Sequence, residues 1–264
     1  MSKYILVYNG FEVITLNPLF GTKHIILIII SLILIVLGGI FVRKLKFSTV
    51  CKSLFYVGIC SETIKIFYYI IRNEETHGGY LPKTDLPIHL CSIQILFIAL
   101  VCFLSNEKIK RFILSFMMPS CLLGGIAAIL IATDSSRNGM WILTLQYFGY
   151  HIAIVVFALY LLTSKEIQFT IKDYFSCLKF LVLIMFFAIY INSIVYDGTK
   201  DVNFMYVASP PQKGLPFLNE DHGWFVYIIH YTMLVIFCVT ACYIKPIIDF
   251  IKKKVNNQIT KKGH

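Results

Sequence analysis

Residues 24–42 read HIILIIISLILIVLGGIFV, from His24 to Val42, and are followed at once by Arg43, Lys44 and Lys46. About 20 apolar residues suffice to carry a helix across a bilayer. The basic cluster that closes this run is a stop signal rather than a small-residue cleavage site, so the segment is expected to be a retained span. Working outward, six more runs of the same kind follow: 51–71, 86–105, 111–132, 141–163, 175–196 and 222–244. The segments between them are charged or turn-rich, such as 73–85 with Gly78, Gly79 and Pro82, and 197–221 with Pro210, Pro211 and Pro216. The expected architecture is all-α: a single membrane domain over 1–264, a polytopic bundle of seven transmembrane helices, with a basic tail at 245–264.

The composition supports this reading. Hydrophobic residues make up 58% of the chain and charged ones 14%, and the mean hydropathy is +0.75, which suits a protein whose solvent is lipid. The net charge of +10 would otherwise suggest nucleic acid, but the lysines and arginines sit in short loops, so no nucleic-acid partner is expected. Lys and Arg number 16 on one set of alternate loops and the tail against 7 on the other, with Lys65 inside a span. Because positive loops are retained in the cytoplasm, this asymmetry predicts an outside N-terminus, an inside C-terminus and a multi-pass place in the cell membrane. The tail from Lys245 reads either as a solvated topological anchor or as a segment lying on anionic headgroups, with Ile247, Ile248, Phe250 and Ile251 toward lipid.

None of the eight cysteines forms a CxxC pair, so neither a disulfide framework nor a zinc knuckle is expected. Cys60, Cys102, Cys121, Cys177, Cys238 and Cys242 read as small apolar fillers.

Ionisable groups inside a bilayer are costly and face a bundle interior or a wet cavity. Placed by helical rise from the outer end of each span, His89, Cys91, Gln146, Lys65, Gln94, Glu62, His230 and His151 all fall in the outer half. His24, His77 and His222 are at the outer side too, leaving only His264 inside. Helical spacing gathers them further: Cys91 with Gln94, Tyr147 with His151 beside Gln146 and Tyr150, Tyr227 with His230 or Tyr231, and Glu62 with Lys65. The last pair also reads simply as a local ion pair, and lone histidines also bond carbonyls across helices.

Cys91 stands apart because it follows Pro87 at the outer mouth, among His89, Ser92 and Gln94. A thiol becomes a nucleophile beside a base. His89 is two positions away and points elsewhere on a regular helix, so His151 is the better candidate base. A zinc site built from His89, Cys91, His151 and His230 is the competing chemistry, but no HExxH or close His pair supports it; no metal and no cofactor are expected.

Specific strings resemble a known family. Leu86-Pro87-Ile88-His89-Leu90-Cys91-Ser92 is similar to the LPLHLCS signature of the bacterial YwaF-like integral membrane family, which belongs with the vertebrate transmembrane protein 164 family. The stretch from Asn203 to Pro211, NFMYVASPP, resembles that family's NYMYL...KP segment, and Gly223-Trp224-Phe225-Val226-Tyr227 its GPWPWY stretch. Phe20 and His24, and Gln146 to His151, resemble further family positions. The family's Tyr is Phe204 here, its Lys before the Pro is Ser209, and its Pro-Trp is Phe225-Val226. Lys200 and Lys213 remain as cations of that loop.

The resemblance implies a seven-helix fold similar to androgen-induced and androgen-dependent membrane hydrolases, which act on lipid esters. It also implies cysteine-dependent transfer of fatty acyl chains between phospholipids. Cys91 would then be the acyl-accepting nucleophile and His151 its base, with Glu62, Lys65, His89, Gln94, Gln146, Tyr147, Asn192, Asn203, Tyr206, Tyr227 and His230 lining the site and membrane phospholipids as substrate. The loop at 197–221 would act as a lid. Two other function classes stay open on the residues alone. One is a small-solute permease, motivated by Glu62 and Lys65, and the other is a non-catalytic scaffold whose polar groups only fix helix packing.

Overall fold

The computed structural model describes residues 7–9, 12–14, 19–72, 81, 83–133, 136–137, 140–196, 198, 202–211, 218 and 221–262. Expectations for His77, Gly78, Gly79, Pro82, Lys200, Lys213 and His264, and for much of the 197–221 loop, lie outside them. Eight helices are described: α1 (Thr22–Val42), α2 (Phe47–Arg72), α3 (Leu90–Phe103), α4 (Glu107–Leu130), α5 (Trp141–Thr163), α6 (Ile171–Val195), α7 (Trp224–Cys242) and α8 (Ile244–Lys262). Val7–Asn9 pairs antiparallel with Glu12–Ile14, a short hairpin ahead of the bundle that the helical pattern did not announce.

Six helices, α1, α2 and α4 to α7, are long and apolar enough to cross a membrane. Of the other two, α8 carries the lysine-rich tail, and α3 has 14 residues, about 21 Å of helix against the roughly 30 Å hydrocarbon core. The expected span 86–105 is shortened at its start because Pro87 disfavours helical backbone at Leu86. Ile88 N–H turns back onto Leu86 O at 2.7 Å, and His89 is extended at ψ 153° as the N-cap. Elsewhere the ends move by caps. Asn106 Oδ1 accepts from the N–H groups of Lys108 and Ile109, starting α4 before Arg111. Thr170 and Asp173 form a reciprocal capping box that starts α6.

α4 and α5 form the centre: 61% and 56% of their apolar windows are buried, against 11% in α1 and 17% in α7. α1 is inverted relative to a helix in water. Its buried residues are His24, Ser31 and Ile35, while Ile25, Ile26, Ile29, Leu32 and Ile33 are exposed, as expected where the surroundings are hydrocarbon. Gly125 sets the α4–α5 distance; a Cβ there would sit 2.5 Å from Val155 Cγ2 and 3.1 Å from His151 O. Pro119, inside α4, has no N–H for the carbonyl of Ser115. The Tyr243 hydroxyl supplies the missing donor at 2.7 Å.

Successive helices run between the same two ends. One is held by Tyr160 OH on Leu45 O, Phe47 N–H on Glu166 and Arg111 on Asp173. The other is held by Lys23 on Arg137 O, Asn192 on Phe204 and Trp224 on Val207. The second end holds a cavity.

Candidate functional site

The cavity has a volume of about 700 Å³, in the range of ligand sites. Its polar wall comes from Glu62 and Lys65 of α2, Cys91 and Ser92 of α3, and Gln146, Tyr147 and His151 of α5. Its apolar wall comes from Gly124, Ala127 and Ala128 of α4, and Leu234 of α7. Asn203, Met205 and Tyr206 cover it.

Cys91 is the second residue of α3, so it sits in the turn whose backbone N–H groups lack carbonyl partners within the helix. Among the described residues no side chain caps this turn. The first helical bond is Ile93 N–H to His89 O. The backbone is fixed from α5 by Tyr150 OH, which donates to Cys91 O at 2.8 Å. His151, 6% exposed, places Nδ1 2.6 Å from Tyr147 O. A carbonyl only accepts, so Nδ1 carries the proton and Nε2 of the neutral ring keeps its lone pair. Tyr147 in turn donates to Ala128 O at 3.0 Å.

Glu62 and Lys65 form an ion pair at 2.8 Å, with side chains 13% and 15% exposed. Ser92, next to the cysteine, donates to Glu62 Oε1 at 2.8 Å, tying the first turn of α3 to α2. Gln146 donates to Ser61 at 2.6 Å. His89 lines the cavity; its Nε2 donates to Thr84 O at 3.2 Å and its ring meets Phe204 edge-on at 5.1 Å.

Met205 and Tyr206 are left-handed, at φ 57° and 54°, a conformation that costs a non-glycine residue and persists only where neighbours hold it. Asn192 donates to Phe204 O at 3.0 Å and accepts from Phe204 N–H at 2.8 Å. Tyr231 OH donates to Met205 O at 2.9 Å, Tyr227 OH to Tyr206 O, and Trp224 Nε1–H to Val207 O at 2.9 Å. Asn203 Nδ2 donates to Ser209 O at 2.7 Å and to its Oγ at 2.8 Å, so the Ser209 side chain makes a structural contact. Burial raises the Tyr206 phenol above its ordinary value, keeping it neutral.

Of the sequence candidates, Cys91, His151, His89, Glu62, Lys65, Gln146, Tyr147, Asn203 and Tyr206 meet at this cavity. Gln94, Asn192, Tyr227 and His230 do not line it. Gln94 is buried behind it, donating to Ser120 at 3.1 Å and accepting from Cys121 at 3.4 Å. Asn192 and Tyr227 act on the covering strap, as above. His230 is exposed; Tyr231, four residues from Tyr227 and stacked with it at 6.0 Å, holds the inward face instead. Among the described residues no three of His, Cys, Asp and Glu are grouped as a metal site requires. All eight cysteines are free. His24 is committed elsewhere, accepting from Phe20 N–H at 3.1 Å and donating to Ile129 O at 3.0 Å, a staple between α1 and α4.

Sequence reasoning missed the apolar wall, because Gly124, Ala127 and Ala128 look like ordinary helix filler. Their spacing of three and four residues on α4 was the signal.

A multi-pass helical bundle with a cysteine and a histidine in one chamber near one end defines a class of membrane protein. The chain belongs to the TMEM164 family, whose family model matches residues 19–243. No curated protein and no solved structure matches the chain.

Proposed function

We propose that this protein is a cysteine-dependent lipid acyltransferase or lipid-ester hydrolase working at the outer leaflet of the cell membrane. In this reading the chain crosses seven times with its N-terminus outside, α3 making the third crossing with the extended residues before it. The single observation that carries the activity is the shared chamber of Cys91 and His151, with the His151 proton held at Nδ1 by Tyr147 O and Nε2 left as a base. The family resemblance points the same way.

His151 Nε2 takes the Cys91 thiol proton as Sγ bonds to the ester carbonyl carbon. The electron pair displaced onto the carbonyl oxygen is met by the unpaired N–H groups at the start of α3. Collapse of this adduct breaks the C–O bond, and the leaving alkoxide recovers the proton from His151. A thioester remains on Cys91. An acceptor hydroxyl, from a lysolipid or water, then gives its proton to His151, attacks the thioester and returns the thiol. Gly124, Ala127 and Ala128 with Leu234 form the wall along which the acyl chain lies, and Glu62 and Lys65 face the headgroup.

A permease needs a path through the opposite half. There Phe97, Phe116 and Phe180 pack at 5.2 and 4.6 Å over the buried Ile98 and Met117, which disfavours transport.

Intact-protein mass spectrometry after incubation with fatty-acyl phospholipids tests the activity. A thioester adduct is expected on the native chain and not on Cys91→Ser. A folded Cys91→Ala protein with full lipid-remodelling activity would sink the reading.

A further inference from the structure

α8 has no part in the cavity. It leaves α7 at a break on Tyr243, where the backbone departs from helix at φ −99° and ψ 13°. The Tyr243 side chain is buried, bonded to Ser115 O and packed on Phe169 and Tyr174 at 5.9 and 5.6 Å. The root of α8 is therefore anchored at the end opposite the cavity.

Beyond that root the helix presents two kinds of surface. Ile244, Ile248, Ile251 and Val255, four, three and four residues apart, lie on one face and are 54%, 41%, 53% and 47% exposed. Ile247, beside them, packs on the bundle. At about 100° per residue, Lys245 and Lys252 border the stripe on one side and Lys254 on the other. Asp249 and Lys253 lie opposite. The helix carries six lysines against one aspartate.

An apolar stripe bordered by long cationic side chains suits a water–lipid boundary, where the stems lie on hydrocarbon and the ammonium groups reach the headgroups. The rest of this end matches in charge and polarity. Lys44, Lys46, Lys52, Lys108 and Lys172 belong to its turns and helix ends, and Phe103 and Phe175 are exposed there.

We propose that α8 lies along the bilayer surface at this end and binds anionic phospholipid headgroups through Lys245, Lys252 and Lys254, with Ile248, Ile251 and Val255 at the acyl boundary. The interaction is independent of the cavity chemistry. Charge complementarity favours an anionic leaflet over a zwitterionic one, since each lysine near such a surface gains from its negative potential.

The test uses the full chain in nanodiscs of phosphatidylcholine alone or with an equal part of phosphatidylglycerol. The native tryptophans, Trp141 and Trp224, begin α5 and α7 at the cavity end. An added Ile251→Trp or Lys253→Trp therefore reports on α8 by difference. In the anionic discs, Ile251→Trp is expected to shift to the blue, lose iodide quenching and gain quenching by lipids brominated near the headgroup. Lys253→Trp is expected to stay water-exposed. Combining Ile251→Trp with Lys245→Glu, Lys252→Glu and Lys254→Glu should return it to water. Equal iodide quenching of Ile251→Trp in both membranes, or equal lipid quenching of both probes, would overturn the proposal. So would a blue shift that appears only when two copies share a disc, since the stripe would then cover a second chain.

Discussion

The two ends of this bundle put their polar residues to different uses. At the basic end, charged groups consume one another: Arg111 meets both Asp173 oxygens at 2.6 and 2.7 Å, and Asp173 also accepts from the Thr170 hydroxyl and backbone N–H. At the cavity end, beside the Glu62–Lys65 ion pair, hydroxyl and imidazole groups are tied to backbone carbonyls, Tyr147 to Ala128, His151 to Tyr147 and Tyr150 to Cys91. A side chain that spends one atom on a carbonyl is oriented while its other atoms stay available. The Arg111–Asp173 pair gives stability; around the cavity, tethering to backbone gives a site.

That contrast can be broken most sharply at Cys91. Under the proposed chemistry Cys91→Ala abolishes acyl transfer to background, read as lipid turnover in proteoliposomes, while the melting temperature in detergent stays near native. His151→Gln removes the base without removing the thiol, and should slow adduct formation by about 10² to 10⁴-fold in a mass-spectrometric time course.

The basic end should answer in stability. Arg111→Ala strands the buried Asp173 carboxylate and should cost about 2 kcal/mol, visible as a lowered melting temperature with turnover per folded molecule unchanged. A smaller effect is expected on the apolar wall, where Ala127→Phe should shift preference toward shorter acyl chains by about tenfold in competition between two chain lengths. Smallest is Tyr243→Phe, which leaves Ser115 O without its donor and should cost about 0.6 to 1 kcal/mol by thermal unfolding.

Much of this organisation was legible in the sequence, for reasons that particular residues make clear. A bilayer-length apolar run such as 24–42 can do little besides span, so the helices were readable. Cys91 was readable because it alone among the cysteines sits beside a proline-bounded helix start with polar neighbours. The length of α3 was hidden because apolar composition continues through Leu86 and Ile88, and only backbone geometry at Pro87 interrupts it. The choice between His230 and Tyr231 turned on one helical step, smaller than the uncertainty in where α7 begins. Asn192 could be recognised as special but not assigned, since its partner Phe204 bonds through backbone that every residue possesses.

The strap over the cavity carries a consequence for how such a protein can diversify. Residues 204–207 are gripped by their carbonyls and one N–H, through Asn192, Tyr231, Tyr227 and Trp224; the Phe204, Met205 and Val207 side chains are buried besides, and Tyr206 alone of the four is half-buried, over the cavity. A grip on main chain is indifferent to which side chains hang from it. At Tyr206 the cover can therefore be rewritten, changing what the chamber admits while the clasp that closes it stays intact.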